Sequence, residues 1–305
     1  MKILLTGASG FIGRSIANSL SKENDLLCVS RGNMPLRDYQ VYHVEDIGAN
    51  TDWSVPLEAI DVVVHLAAIA HNKSSSEIRE VNVAGTEGLV RQSLRAGVKR
   101  FIFLSSIGVN GNFNERPFTA DDRPSPADSY ALSKLEAEER IESLCAGSEM
   151  DFVIIRPPMV YGPGSPGSFG RLMHLVKSGF FLPLGSISNS RSLISIYNLV
   201  DFVEICLDHK GAANQVFLVS DNDDVSTSDL IRLLSSATGR RDRLFPMPAS
   251  MLFLLATLMR KKNIAHGLVS SLRVDISKAR DLLGWEPRLS LRQGILRCFD
   301  NQEML

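Results

Sequence analysis

Short runs rich in Ile, Val, Leu and Phe recur along the chain at Ile3–Thr6, Leu26–Ser30, Asp61–Leu66, Arg100–Ser105 and Phe152–Arg156. They lack polar alternation, so they predict strands covered on both faces. Between and after them lie segments with apolar residues at helical spacing, Phe11–Ser21, Ser76–Ala96, Ser129–Leu144 and Ser168–Lys177. Strands alternating with helices at this period predict an α/β protein built on a doubly wound parallel sheet. The pattern changes near residue 160, where glycine and proline cluster in G-P-G-S-P-G-S (Gly162 to Ser168). Beyond it, helices are predicted at Asn198–Asp208, Thr227–Thr238, Ala249–Arg260, Asp275–Leu283 and Leu289–Phe299. Two units are expected: residues 1–160, and a smaller mixed α/β lobe over residues 161–305 with some segments returning to the first sheet.

The 305 residues carry 33 Lys+Arg against 34 Asp+Glu, a net charge of −1, which argues against nucleic-acid or membrane binding driven by a global positive field. Cys28, Cys145, Cys206 and Cys298 lie far apart, without zinc-ligand spacing, so no metal is implied and a reduced, cytoplasmic protein is expected. Gly7, Gly10 and Gly13 interrupt the apolar N-terminus before a secretory core can form. The apolar stretch Met251–Met259 is too short to span a bilayer. Ala249–Lys262 ends in three cations and could touch a membrane, but its length reads first as a buried helix covering the second lobe.

The first strand runs into T-G-A-S-G-F-I-G (Thr6 to Gly13), followed by a helix with Ile12, Ile16, Ala17 and Leu20 on one face. Strand, glycine turn and helix in that order form a Rossmann-type dinucleotide site. Glycines let the backbone turn tightly and approach a pyrophosphate, which the free amides and helix dipole attract. A purely structural glycine turn is the plain alternative. At the end of the second strand, C-V-S-R-G (Cys28 to Gly32) offers no carboxylate for a ribose 2′-hydroxyl. Arg31 suits a 2′-phosphate, so NADP(H) is preferred; NAD(H) stays open if Arg31 is a solvated loop residue.

Further on, S-S-I-G-V-N-G (Ser105 to Gly111) precedes Y-A-L-S-K (Tyr130 to Lys134), whose Tyr and Lys share a helix face. Alone, Y-x-x-x-K could be a surface pair. Together with the glycine loop, H-L-A-A (His65 to Ala68), V-N-V-A-G-T (Val81 to Thr86) and R-P-P-M-V-Y-G-P (Arg156 to Pro163), it is specific. From Lys2 to D-I-S-K-A-R-D-L-L-G-W-E-P (Asp275 to Pro287), the chain resembles the extended short-chain dehydrogenase/reductases of the nucleotide-sugar epimerase/dehydratase/reductase group.

The resemblance implies Tyr130 as acid/base, Lys134 as holder of the nicotinamide ribose that lowers the tyrosine pKa, and Ser106 as hydrogen-bond partner of the reacting sugar oxygen. It implies a dinucleotide held by Gly7, Ser9, Gly10, Phe11, Ile12, Gly13, Arg31, Asp46, Ile47, Leu66, Ala67, Ala68, Asn82 and Pro157, besides Tyr130 and Lys134. Asp46 would reach the adenine amino group, or else cap a loop; Asn82 would orient the Tyr130 region. His65 reads as a satisfied strand-end histidine in preference to a catalytic one.

Dehydratases of the group place an Asp-Glu pair after the catalytic Ser or Thr; Ile107 and Gly108 stand there, so a 4,6-dehydratase would lack its acid and base. Reductases and 4-epimerases remain. Arg31 favours a reductase, because a cofactor exchanged at every turnover is often NADPH, whereas an epimerase retains NAD. R-P-P-M-V-Y-G-P-G and N-S-R-S-L-I-S (Asn189 to Ser195) resemble the UDP-4-keto-6-deoxy-N-acetylhexosamine 4-reductases of bacterial O-antigen synthesis. The expected reaction is thus reduction of the C4 ketone to UDP-N-acetylquinovosamine or UDP-N-acetylfucosamine, with a UDP-glucose or UDP-N-acetylglucosamine 4-epimerase as alternative. Arg191 would hold the UDP-sugar diphosphate and the loop at Leu182 its uracil; a homodimer through the helices near Ser76–Ala96 and Ser129–Leu144 is also implied. Two departures stand out: Met159 replaces the group's usual Asn, and the second phosphate-binding arginine has no clear counterpart, Arg273 lying too close to Asp275.

Overall fold

The computed structural model describes residues 1–32, 39–70, 73–258 and 262–299. Seven strands form one wholly parallel sheet: β1 (Lys2–Thr6), β2 (Asp25–Ser30), β3 (Gln40–His43), β4 (Val62–His65), β5 (Arg100–Leu104), β6 (Asp151–Arg156) and β9 (Gln215–Leu218). Their spatial order is β3-β2-β1-β4-β5-β6-β9. The winding therefore reverses between β1 and β4, the switch point where a doubly wound sheet opens a crevice at its carboxyl ends.

Strand side chains alternate between two cores, which explains why the strands read as unbroken apolar runs. Ile3, Leu5, Val62, Val64, Ile102, Leu104, Val153 and Ile155 enter one core. Leu4, Val63, Phe101, Phe103 and Ile154 enter the other. The first core is covered by α1 (Phe11–Leu20), α6 (Ile196–Cys206) and α10 (Ser277–Leu283). The second lies under α3 (Thr86–Ala96) and α4 (Ser129–Cys145). A third cluster joins β7 (Met159–Tyr161) and β8 (Leu193–Ser195) to α5 (Gly167–Ser178), α7 (Thr227–Ala237) and α11 (Leu291–Arg297).

The sequence pattern predicts one helix over 76–96, and the chain departs from it. Here α2 (Ser75–Arg79) passes into a π-helical stretch, Glu80–Gly85, before α3 begins. Asn82 is anchored sideways, its amide bonded to both the backbone N–H and C=O of Ile69 at 2.9 Å, and the wider turn accommodates that bond. Strands β3, β7, β8 and β9 were not expected; each is only three or four residues long, too short to show a period.

The region after Pro248 also departs from expectation. Helix α8 (Ala249–Leu258) is followed by α9 (Lys262–Val269), while Arg260 and Lys261 lie outside the described residues. Instead of being buried, α8 exposes Met251, Leu254 and Leu258, spaced i, i+3, i+7 on one stripe, and packs Leu252 against the third cluster. No helix among the described residues is long and apolar enough to cross a membrane.

The C-terminal D-L-L-G-W-E-P run closes the first core. Trp285 is 1% exposed, meets Phe202 edge-on at 4.9 Å and donates its indole N–H to Asp201 at 2.8 Å. Trp285→Ala should lower the unfolding free energy by about 3–5 kcal/mol, the range for removing a large buried aromatic, as read by urea denaturation.

Candidate active site

At the switch point, Gly7 has φ +74°, and a Cβ there would lie 2.8 Å from the Ala67 nitrogen and 2.9 Å from the Leu66 carbonyl carbon. Only glycine permits β1 and β4 to approach in this way. A Cβ on Gly13 would meet the Gly7 oxygen at 2.1 Å, so the first turn of α1 lies directly against the loop. Gly10 caps α1 in extended conformation, and its N–H donates to the Gly7 oxygen at 3.0 Å. The loop and the unpaired amides of the first helical turn form a cradle with the shape and polarity a pyrophosphate needs.

A cleft of about 250 Å³ opens from it. Gly7, Ser9, Gly10, Arg31, Ile47, Leu66, Ala67 and Ala68, all expected at a dinucleotide, line this cleft together with Val29, Ser30, Ile69 and Val81. Phe11, Ile12 and Gly13 form the first turn of α1. Asp46 lines an adjoining cleft, accepts the Ile47 N–H at 2.7 Å and stands 3.8 Å from Arg31. Both side chains of that pair are more than half exposed, so the contact is a weak tether. Asn82 lies buried behind the cleft, bonded to Ile69 and Ser133. Pro157 is also buried and accepts the Ile107 N–H at 2.9 Å, outside the cleft wall.

A second cavity, about 1210 Å³, is lined by Ser106 and Tyr130, by the loop from Asn110 to Arg116, and by Arg191, His266, Gly267 and Ser270. Asp128 caps α4 by accepting the Ala131 N–H at 2.8 Å, which sets Tyr130 in the first turn at the cavity wall. The Ser106 hydroxyl oxygen accepts the Gly108 N–H at 3.1 Å, so its proton remains available to an incoming oxygen.

Lys134 lies one turn beyond Tyr130, 1% exposed, donating to the Leu104 carbonyl at 2.8 Å with its ammonium 4.3 Å from the centre of the Phe103 ring. Burial draws its pKa down to about 7, against the opposing pull of Glu138. Burial, then the Asp128 carboxylate, push the Tyr130 phenol up to about 12. In the protein alone burial dominates the tyrosine, and the lysine charge is itself desolvated.

Beneath these groups runs a buried ion pair. Glu138, one turn beyond Lys134, accepts from Arg156 Nε at 3.0 Å and Nη2 at 2.5 Å, and from the Ser105 hydroxyl. Arg156 also donates to Asn110 at 3.0 Å. Side-chain exposures of 6% and 1% leave the pair almost dry.

Two substrate assignments fare differently. Arg191 reaches the cavity, although its Nη1 donates to the Gly267 and Ser270 carbonyls at 2.9 and 3.0 Å. Leu182 does not: its backbone bridges to Leu244 and its side chain packs into the third cluster, because the loop is stitched to 243–245. Met159 packs there too, and Arg273 bonds the Glu115 carbonyl at the cavity rim. The contributions of His266 and the Asn110–Arg116 loop carried no sequence signal, since they converge only through tertiary packing.

Comparison with known proteins agrees with this geometry. Residues 3–220 match the NAD dependent epimerase/dehydratase family, and the chain belongs to that family. It is 45% identical over 303 residues to the UDP-glucose 4-epimerase of Vibrio cholerae, covering 96% of this chain and 92% of that one. It is 27% identical over 257 residues to the N-acetyl-α-D-glucosaminyl-diphospho-ditrans,octacis-undecaprenol 4-epimerase of Escherichia coli O157:H7, covering 82% of this chain and 77% of that one. The crystal structure of UDP-glucuronic acid 4-epimerase from Bacillus cereus in complex with NAD superposes with a TM-score of 0.80 at 25% identity, covering 97% of each chain. The expected preference for NADP(H) and the 4-reductase subgroup find no support among these relatives; NAD is the dinucleotide bound in that structure.

Two outcomes follow. Gly13→Ala should abolish retention of nicotinamide dinucleotide on gel filtration, because the added Cβ overlaps the Gly7 carbonyl. Between about 7 and the ordinary lysine range, the folded protein holds Lys134 neutral while the unfolded chain binds the proton, so stability rises with pH. Wild-type stability measured against Lys134→Met should therefore climb by up to about 1.4 kcal/mol per pH unit across that window, and level off above it.

Proposed function

We propose that the protein is a UDP-sugar 4-epimerase that retains one nicotinamide dinucleotide, NAD, through its turnover. What carries the reading is a single acid/base, Tyr130, facing a cavity it shares with Ser106, in a chain 45% identical to a UDP-glucose 4-epimerase. Ile107 and Gly108 occupy the two positions after Ser106, Ile107 buried and the Gly108 N–H bonded to Ser106, so the acidic pair of the dehydratases does not stand there.

When bound, the nicotinamide supplies the acceptor and the donor of hydride at C4. Tyr130 takes the C4 hydroxyl proton and returns it after the ketone presents its other face. Ser106 donates to the same oxygen and stabilises the charge that develops there. Because burial and Asp128 keep the phenol protonated in the protein alone, Tyr130 needs cations close by to act as base. Lys134 is the chain's own, one helical turn away on the same face. Glu138 favours its charged form.

Arg31 favours a second reading, reduction of a UDP-4-keto-6-deoxy sugar by NADPH, since it lines the cleft at the end of β2 where no carboxylate stands. The released cofactor separates the two. Denatured protein should yield stoichiometric NAD, and native protein should interconvert UDP-glucose and UDP-galactose without net consumption of nicotinamide. Protein free of nicotinamide that oxidises NADPH only with the 4-keto sugar would overturn the epimerase reading in favour of the reductase. In either reaction Tyr130→Phe should lower kcat by about a hundredfold or more.

A further inference from the structure

Behind the glycine turn, His65 is fully buried with both ring nitrogens bonded: Nδ1 lies 2.6 Å from the Thr6 hydroxyl and Nε2 lies 2.9 Å from the Thr86 hydroxyl. The proton positions follow from the two ends, which cannot reverse. The Thr86 hydroxyl is 2.7 Å from the Asn82 carbonyl, a group that only accepts, so its one proton points there. Its oxygen must then receive Nε2–H. A neutral imidazole protonated at Nε2 carries its lone pair at Nδ1, so the Thr6 hydroxyl donates to Nδ1. The Thr6 oxygen is left to accept the Ala67 N–H, a pure donor, at 3.3 Å.

The chain continues through Asn82. Its side-chain orientation is fixed, because Oδ1 accepts the Ile69 N–H and Nδ2 donates to the Ile69 carbonyl, both at 2.9 Å. Nδ2 also donates to the Ser133 hydroxyl at 3.0 Å, and Ser133 donates to the Tyr130 carbonyl at 2.7 Å. Thr6, His65, Asn82, Thr86 and Ser133 are all 1% exposed or less, so water cannot replace any link.

We infer that His65 is a positioning residue: as the neutral Nε2–H tautomer it joins Ala67, which abuts the glycine turn of the dinucleotide cradle, to the helix carrying Tyr130 through one directed hydrogen-bond chain. The inference rests on the reading that Tyr130 does the acid/base work. The π-helical turn at Glu80–Gly85 serves the same chain, since Asn82 must offer its carbonyl to Thr86 while its side chain reaches both Ile69 and Ser133. Burial, with the Lys134 ammonium adding to it where that lysine is charged, holds the imidazole down to about 3, so the ring stays neutral throughout the working range. Phe101 and Phe103, the rings packed against it from β5, add no charge.

The tautomer is readable without substrate. Long-range ¹H–¹⁵N spectra of ¹⁵N-histidine protein, with His65 assigned by its loss in His65→Gln, should show a neutral Nε2–H ring unchanged between about pH 5 and 8. An Nδ1–H ring, or one that titrates in that range, would overturn the inference. With UDP-glucose, Thr86→Val should lower kcat roughly tenfold while KM stays within about twofold, and Thr86→Ser should restore it. Ser133→Ala, at the far end, should also lower kcat while leaving the His65 ring as in the wild type, a separation that general loss of folding would not produce. Wild-type kcat in both Thr86→Val and Ser133→Ala sinks the positioning role. Should the wild type epimerise no UDP-sugar, the proposed function fails, and the relay is judged on the ring: loss of the Nε2–H preference in Thr86→Val supports it, an unchanged ring overturns it.

Discussion

The buried pair of Glu138 and Arg156 is the contact on which the strand ends and the helix behind the larger cavity depend. A dry ion pair contributes little net stability, because desolvating two charges offsets most of their attraction, but removing either partner strands the other charge in the core. Its value here is geometric. Glu138 belongs to α4, Arg156 to the end of β6, Ser105 to the chain leaving β5, and Asn110 to the turn after Ser106. Ser106 and Lys134 are thus near neighbours of a charge that cannot move without exposing another: Ser106 follows Ser105, and Lys134 precedes Glu138 by one turn.

The sheet supplies the other constraint. Its winding reverses between β1 and β4, and at that point the two chains approach so closely that a Cβ on Gly7 would overlap Ala67. Placing a Gly-rich turn, a helix N-terminus and small residues at one crevice lets a net charge of −1 coexist with an anionic ligand, since local amides supply the attraction that a global field does not. Tyr130 stands at the wall of the second cavity, on the helix that follows β5. The electrostatics of Lys134 and Tyr130, by contrast, are set by how deeply the start of α4 is buried.

Much of this was legible in the chain. The five long apolar runs, the glycine turn and the Tyr130–Lys134 spacing each rest on a short local pattern, and all appear where expected. Glu138 and Arg156 carried no such signal. One is the ninth residue of a motif read only to its fifth, and the other stood inside R-P-P-M-V-Y-G-P as an unassigned letter; their pairing spans two elements and is invisible before folding. Leu182 misled for the converse reason. Likeness places the loop at Leu182 against a uracil, whereas its backbone bonds to 243–245 and the Leu182 side chain packs against the third cluster.

The sequence by itself determined the parallel α/β sheet and the glycine turn that follows its first strand, because each is encoded within a window of a few residues by periodicity or by glycine's conformational freedom; the Ser-Tyr-Lys set was implied by resemblance. Only the tertiary structure decided the rest: the π-helical break at Glu80–Gly85, the exposed stripe of α8, the raised phenol of Tyr130 and the proton arrangement around His65. Those depend on burial and on hydrogen bonds between residues tens of positions apart, and neither quantity exists until the chain is packed.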